Sequence, residues 1–169
     1  MHSEQKPIYL CRNSKEAFKL SQHFKSKEKV MALHDFINNL FEKHPDIIMP
    51  YRVLNGIEEK LLWESSIKQY KKSSFDLSNI ESLSEPASHA DRLIDQFLIG
   101  ENTLKSEERS EEHAFFNAWR LIFKKYCNDK NIITFNGLIK IAIEHITSKD
   151  ISIDCPIHFV NFDFRTPIE

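Results

Sequence analysis

Glycine is nearly absent from this chain of 169 residues, which has only Gly56, Gly100 and Gly137, none near another. Loops that cradle phosphate need two or more glycines close together, for a tight turn and for close approach of the backbone. Walker-type and dinucleotide-binding loops are thereby excluded. Cysteine is equally scarce: Cys11, Cys127 and Cys155 are odd in number, far apart and without a Cys-x-x-Cys pair. That pattern fits neither a secreted disulfide framework nor a zinc knuckle, and it points to a reducing compartment. Long apolar runs are missing and residues 1–6 are polar, so neither a signal peptide nor a membrane span is expected and the chain reads as cytoplasmic.

A bias to one sign of charge is also lacking, since the net charge is −2, but its halves differ: +4 over residues 1–75 and −6 over residues 76–169. A uniformly basic nucleic-acid binder is not indicated, whereas a partner steered to one end is compatible. What the chain has is ordinary globular composition, 41% hydrophobic and 28% charged. Its length allows a core that needs neither disulfide nor metal.

The pattern is mostly helical. Residues 7–11 form a short strand-like run, after which Asn13 caps a helix reaching about Phe24. Val30, Leu33, Phe36, Ile37, Leu40 and Phe41 predict one helix over 27–44, stopped by Pro45. A connector or single turn leads to Gly56, which opens a helix to about Lys72. The stretch 71–85 carries five serines and reads as a linker inside a single domain spanning 1–169. Pro86 is expected in the first turn of the next helix, with Gly100 as its stop. A further helix is predicted from Ser106 to about Cys127, followed by an apolar one over 138–146.

The tail alternates at Ile151, Ile153, Cys155, Ile157 and Phe159, then shifts phase through Val160, Phe162 and Phe164, as a strand with a bulge near Phe159 would. It is expected to pair with residues 8–11. The predicted fold is mainly α: about six helices with a small sheet built from the two chain ends.

Eight histidines prompt a search for metal ligands, which on one helix need i, i+3 or i, i+4 spacing so that lone pairs converge. No His-x-x-x-His occurs; Glu85 and His89 straddle Pro86, and His145 precedes Asp150 by five residues. The pair His34-Asp35 resembles the central dipeptide of the His-Asp metal phosphohydrolases, which implies a metal-dependent hydrolase with His34 and Asp35 as candidate ligands; His89, from its own spacing to Glu85, is the third metal candidate. Only the dipeptide matches, and the other reading of His34 is a helix histidine beside Phe41.

Arg109, His113, Asn117, Arg120 and Lys124 follow at three- or four-residue steps and predict a basic face opposite the stripe Phe115, Phe116, Trp119, Ile122, Phe123 and Tyr126. The Arg and His resemble the Arg-x4-6-His signature of the helical higher-eukaryote-and-prokaryote nucleotide-binding ribonucleases. That implies a metal-independent nuclease with Arg109 and His113 as catalytic candidates; the same helix face adds Arg120 to them and puts Asn117 and Lys124 in binding. Arg109 and His113 enclose only three residues, one fewer than the signature. The plainer reading is a solvated helix face.

Residues 123–143 are similar to an EF-hand in their apolar frame, but Tyr126 and Gly137 stand where the first Asp and final Glu of the loop belong. Glu64 lies among Leu61, Leu62 and Ile67, within pairing reach of Lys60 and Lys68. Cys155 and His158 fall on opposite sides of a strand and make no nucleophilic pair. The expectation is therefore a non-enzymatic protein without a cofactor, a regulator, inhibitor, immunity factor or effector that binds another protein. Phe159, Phe162 and Phe164 are candidate contacts. A nucleic-acid-binding protein or ribonuclease and a metal-dependent hydrolase are the alternatives.

Overall fold

The structure, a computed structural model, describes residues 6–24, 29–70, 80–100, 103–104, 110–162 and 166–168. Among them the order is β1 (Ile8–Cys11), α1 (Ser14–Ser21), β2 (Lys29–Ala32), α2 (Leu33–Lys43), α3 (Pro45–Ile48), β3 (Arg52–Val53), α4 (Gly56–Gln69), α5 (Ile80–Gln96), α6 (Glu111–Asp129), β4 (Ile132–Ile133), α7 (Phe135–Thr147) and β5 (Ile157–Val160). The fold is mainly α, with seven helices and a small three-stranded parallel sheet among the described residues. Two compact units divide the chain: residues 1–49 with 139–165, and residues 50–138 with 166–169. No boundary falls in the serine-rich stretch. Residues 71–79 of it lie outside the described residues, and 80–85 are helical.

In the first unit the strands run in the order β2-β1-β5, all parallel. Ile8 to Cys11 register with Lys29 to Ala32 on one side and with Ile157 to Val160 on the other. The two chain ends pair as their patterns predict. The Ile8 amide donates to Pro156 O at 2.9 Å, so Pro156 precedes the ladder rather than interrupting it. The regular strand is shorter than the alternation suggests: residues 151–156 are outside it, and Ile151 is buried without pairing in the sheet. Asn13 starts α1 as predicted, its Oδ1 accepting from the Glu16 amide at 3.0 Å.

The helix predicted over 27–44 divides. Residues 29–32 are β2, and only from Leu33 does the chain turn helical. Val30 and Leu33 fit a helical stripe, but the same run Lys29-Val-Met-Ala completes a ladder with β1 that local spacing does not reveal. Pro45 ends α2 and also opens α3, occupying the first turn where its missing N–H costs nothing.

The second unit holds α4, α5, α6 and the parallel pair β3-β4. Its core joins Trp63 and Ile67 of α4, Ala87 of α5, and Phe115, Trp119, Phe123 and Cys127 of α6. The Trp63 ring stacks on Phe123 at 4.5 Å between centroids. Asn55 caps α4 by accepting from the Ile57 and Glu58 amides, and Glu58 reaches back to the Asn55 amide, closing a capping box. Ser110 caps α6, accepting from the His113 amide; Ser106, the cap expected from sequence, lies outside the described residues.

Two breakers act elsewhere than predicted. Pro86 sits inside α5, the helix having begun at Ile80. The stop is not Gly100, which has no positive φ, but Leu98 at φ 52°. The Leu98 amide donates to Asp95 O and the Ile99 amide to Ile94 O, the two bonds of a Schellman closure. The apolar helix of the sequence reading, α7, is not buried all round: Leu138, Ile139 and Ala142 are buried, but Ile143 is 41% exposed.

Candidate functional site

The basic face predicted on the long helix falls on α6. Trp119 and Phe123 turn inward from α6, and Arg120 turns inward beside them. Arg120 Nε donates to Asp91 Oδ1 of α5 at 2.7 Å, and the two side chains are only 6% and 2% exposed. Lys124 follows one turn later, its Nζ 3.0 Å from Asp91 Oδ2 and 3.1 Å from Asp95 Oδ2. Burial pulls the Lys124 ammonium down, but the charges and hydrogen bonds of Asp91 and Asp95 outweigh it, and its pKa lies above the ordinary 10.5.

This corrects the reading of one solvated basic face. Arg120 is inside and Lys124 is half-buried, both engaged by carboxylates, because α5 presents Asp91 and Asp95 one turn apart opposite them. Of the remaining candidates, His113 is exposed beside the Ser110 cap, Asn117 is half-buried, and Arg109 lies outside the described residues. The Glu112 carboxyl is held below its usual range by backbone and Ser110 hydrogen bonds.

A second polar cluster joins α4 to α5. Glu59, buried in α4, accepts from Ser88 Oγ at 2.8 Å and from Arg92 Nε and Nη2 at 3.1 and 3.2 Å. Sequence reasoning singled out Glu64, which is half-buried, rather than Glu59. The available signal was complementary spacing: Asp91 and Asp95 on one helix, Arg120 and Lys124 on another, each four residues apart. Above this cluster a groove of about 820 Å³ is lined by Lys60, His89 and Arg92 among others.

The metal candidates do not converge. His34 Nδ1 is 3.8 Å from Asp35 Oδ1, both side chains are exposed, and Asn38 Nδ2 lies 3.1 Å from the same His34 nitrogen. His34 and Asp35 belong to the first unit and His89 to the second. Among the described residues no three of His, Cys, Asp or Glu cluster as ligands would. His145 Nδ1 meets Asp150 Oδ2 at 3.0 Å and Ser148 Oγ donates to the same oxygen at 2.6 Å. The Ser148 and His145 hydrogen bonds hold the Asp150 carboxyl below its ordinary range. The serine bonds the acid rather than the imidazole, so this group closes the end of α7 and is not a nucleophilic relay.

Phe159 and Phe162 are half-buried and meet edge to face at 5.3 Å, while Phe164 lies outside the described residues. The aromatic tail is therefore partly spent on β5 and on itself. Burial pushes the Cys127 thiol up to about 11, and it raises Cys11 with help from the Glu16 charge. Neither is poised as a thiolate.

In the second unit two exposed apolar side chains lie one turn apart on α4, while α6 exposes Leu121 at 60%. Ile57 is 75% and Leu61 57% exposed, one turn apart on the side away from Trp63 and Ile67. Among the described residues no helix is long and apolar enough to cross a membrane. The chain matches no protein-family model and no curated protein.

Proposed function

We propose that this chain is a non-enzymatic interaction protein, of the regulator, inhibitor, immunity-factor or effector kind, and that α4 carries a contact surface for another protein. The observation that supports this reading is the exposed pair Ile57 and Leu61. A helix that only covers a core has one apolar stripe, but α4 has two: Trp63 and Ile67 face the core and Ile57 and Leu61 face water. Burying each outer side chain against a partner is worth about 1.5–3 kcal/mol, enough for the pair to anchor an interface. The buried carboxylate partners of Arg120 and Lys124 take two cations away from a nucleic-acid contact, which leaves the protein partner as the better-supported reading.

The test uses the full chain as bait beside its Ile57→Ser, Leu61→Ser variant. Both side chains are exposed, so the variant keeps its urea midpoint within about 0.5 kcal/mol of stability. It is expected to lose a protein that the unaltered chain retains in stoichiometric amount. Equal retention by both would sink the α4 surface.

A further inference from the structure

The first unit carries a groove beside α2. Two adjoining cavities, of about 380 and about 540 Å³, share Ile8, Lys29, Phe36, Leu40 and Lys43. The floor is apolar: Ile8 from β1, and Phe36 and Leu40 one turn apart on α2, each 8–9% exposed. The rim is cationic, with Lys6 from the segment before β1, Lys29 from the start of β2 and Lys43 from the last turn of α2. None of these lysines enters an ion pair among the described residues, whereas Arg52, Arg92, Arg120 and Lys124 each do.

We propose that this groove binds an acidic amphipathic helix of another protein, apolar side chains on Ile8, Phe36 and Leu40 and carboxylates on Lys6, Lys29 and Lys43. Charge complementarity selects the occupant. Three lysines from three separate elements converge on one apolar floor, and only a ligand combining apolar and anionic groups satisfies both. A nucleic acid is the poorer fit, because its backbone gains nothing from an apolar floor and Glu42 and Asp154, which also line the groove, repel a continuous polyanion. Spaced carboxylates on a helix avoid those two acids, and Asp154 is already engaged by Ser152 Oγ. The groove lies wholly in the first unit and is independent of the α4 surface.

The probe is a fluorescein-labelled helical peptide of leucine and glutamate only, apolar on one face, read by anisotropy against the full chain. A peptide with lysine in place of every glutamate and a single-stranded oligonucleotide are the comparisons. The glutamate peptide is expected to bind, the lysine peptide not to, and the Lys6→Glu, Lys29→Glu, Lys43→Glu variant to bind at least about tenfold more weakly. Amide shifts on binding are expected at Ile8, Phe36 and Leu40. The proposal is overturned by no binding, by equal binding of the lysine peptide, by unchanged affinity in the triple variant, or by preference for the oligonucleotide. Shifts confined to Ile57 and Leu61 would also overturn it, while leaving the α4 surface standing. If the unaltered chain proves to be a dimer that the triple variant makes monomeric, the occupant is a second copy and the proposal falls.

Discussion

Arg120 of α6 donates to Asp91 of α5 at 2.7 Å in a place where both side chains are buried. Such a pair contributes little net stability, because desolvating both charges costs about as much as their attraction returns, but it is severe to break. Arg120→Ala leaves the Asp91 carboxylate buried without that guanidinium and is expected to cost about 3–5 kcal/mol in urea unfolding. The paired exchange Arg120→Met, Asp91→Leu is expected to cost far less. If the single variant were as stable as the unaltered chain, the pair would not be buried as described.

Lys124 makes the same network sensitive to alkali. Its pKa is raised in the folded chain, since Asp91 and Asp95 outweigh desolvation. A raised cationic group contributes stability that is fully present below its unfolded value, about 10.5, and lost as pH rises through the higher folded value. Stability should therefore fall above about pH 10.5, and Lys124→Met should flatten that part of the profile. Identical profiles for the two proteins would contradict the assignment.

Leu98 carries a cost that a single substitution relieves. Its φ of 52° belongs to the left-handed region, which penalises a side chain by about 1–2 kcal/mol, whereas glycine gives back only about 0.5–1 kcal/mol in chain entropy. The side chain is 55% exposed, so little packing is lost. Leu98→Gly is expected to stabilise by about 0.5–1 kcal/mol, read from the urea midpoint. A loss of stability would mean that the side chain packs in a way its exposure conceals.

The three thiols should separate by reactivity. Cys155 is half-buried, Cys11 and Cys127 are buried, and burial pushes the Cys127 thiol up to about 11. A chromogenic disulfide reagent near pH 8 should label Cys155 first, leaving the other two until the chain unfolds. Prompt labelling of Cys127 in the folded protein would contradict its burial.

Elements whose cause is local were legible in the sequence. Asn13 before Ser14-Lys-Glu predicts α1 because the cap is made by residues three apart, and the alternation around Phe159 predicts a strand at the end of the chain. The strand β2 is not legible, because Val30 fits a helical stripe locally and only pairing with β1, distant along the chain and unseen in local spacing, makes residues 29–32 extended. Leu98 was missed for a related reason: Gly100 is the residue that left-handed geometry favours, yet the Schellman bonds close two residues earlier. At the candidate site the sequence shows the spacing of Arg120 and Lys124 but not its environment. A basic stripe on one helix looks solvated until the matching acidic stripe, Asp91 and Asp95, is placed against it. Ile57 and Leu61 show the converse, since apolar residues at helical spacing read as core and only the packed structure reveals that they face outward.

The claim that this chain works by binding another protein through α4 is tested most directly by quantitative mass spectrometry of what the full chain retains from its own cells. The Ile57→Ser, Leu61→Ser variant is the matched bait. The account predicts a protein held by the unaltered chain near one-to-one and lost, at least about tenfold, from the variant. The same proteins in the same amounts on both baits, with both baits folded, would contradict it.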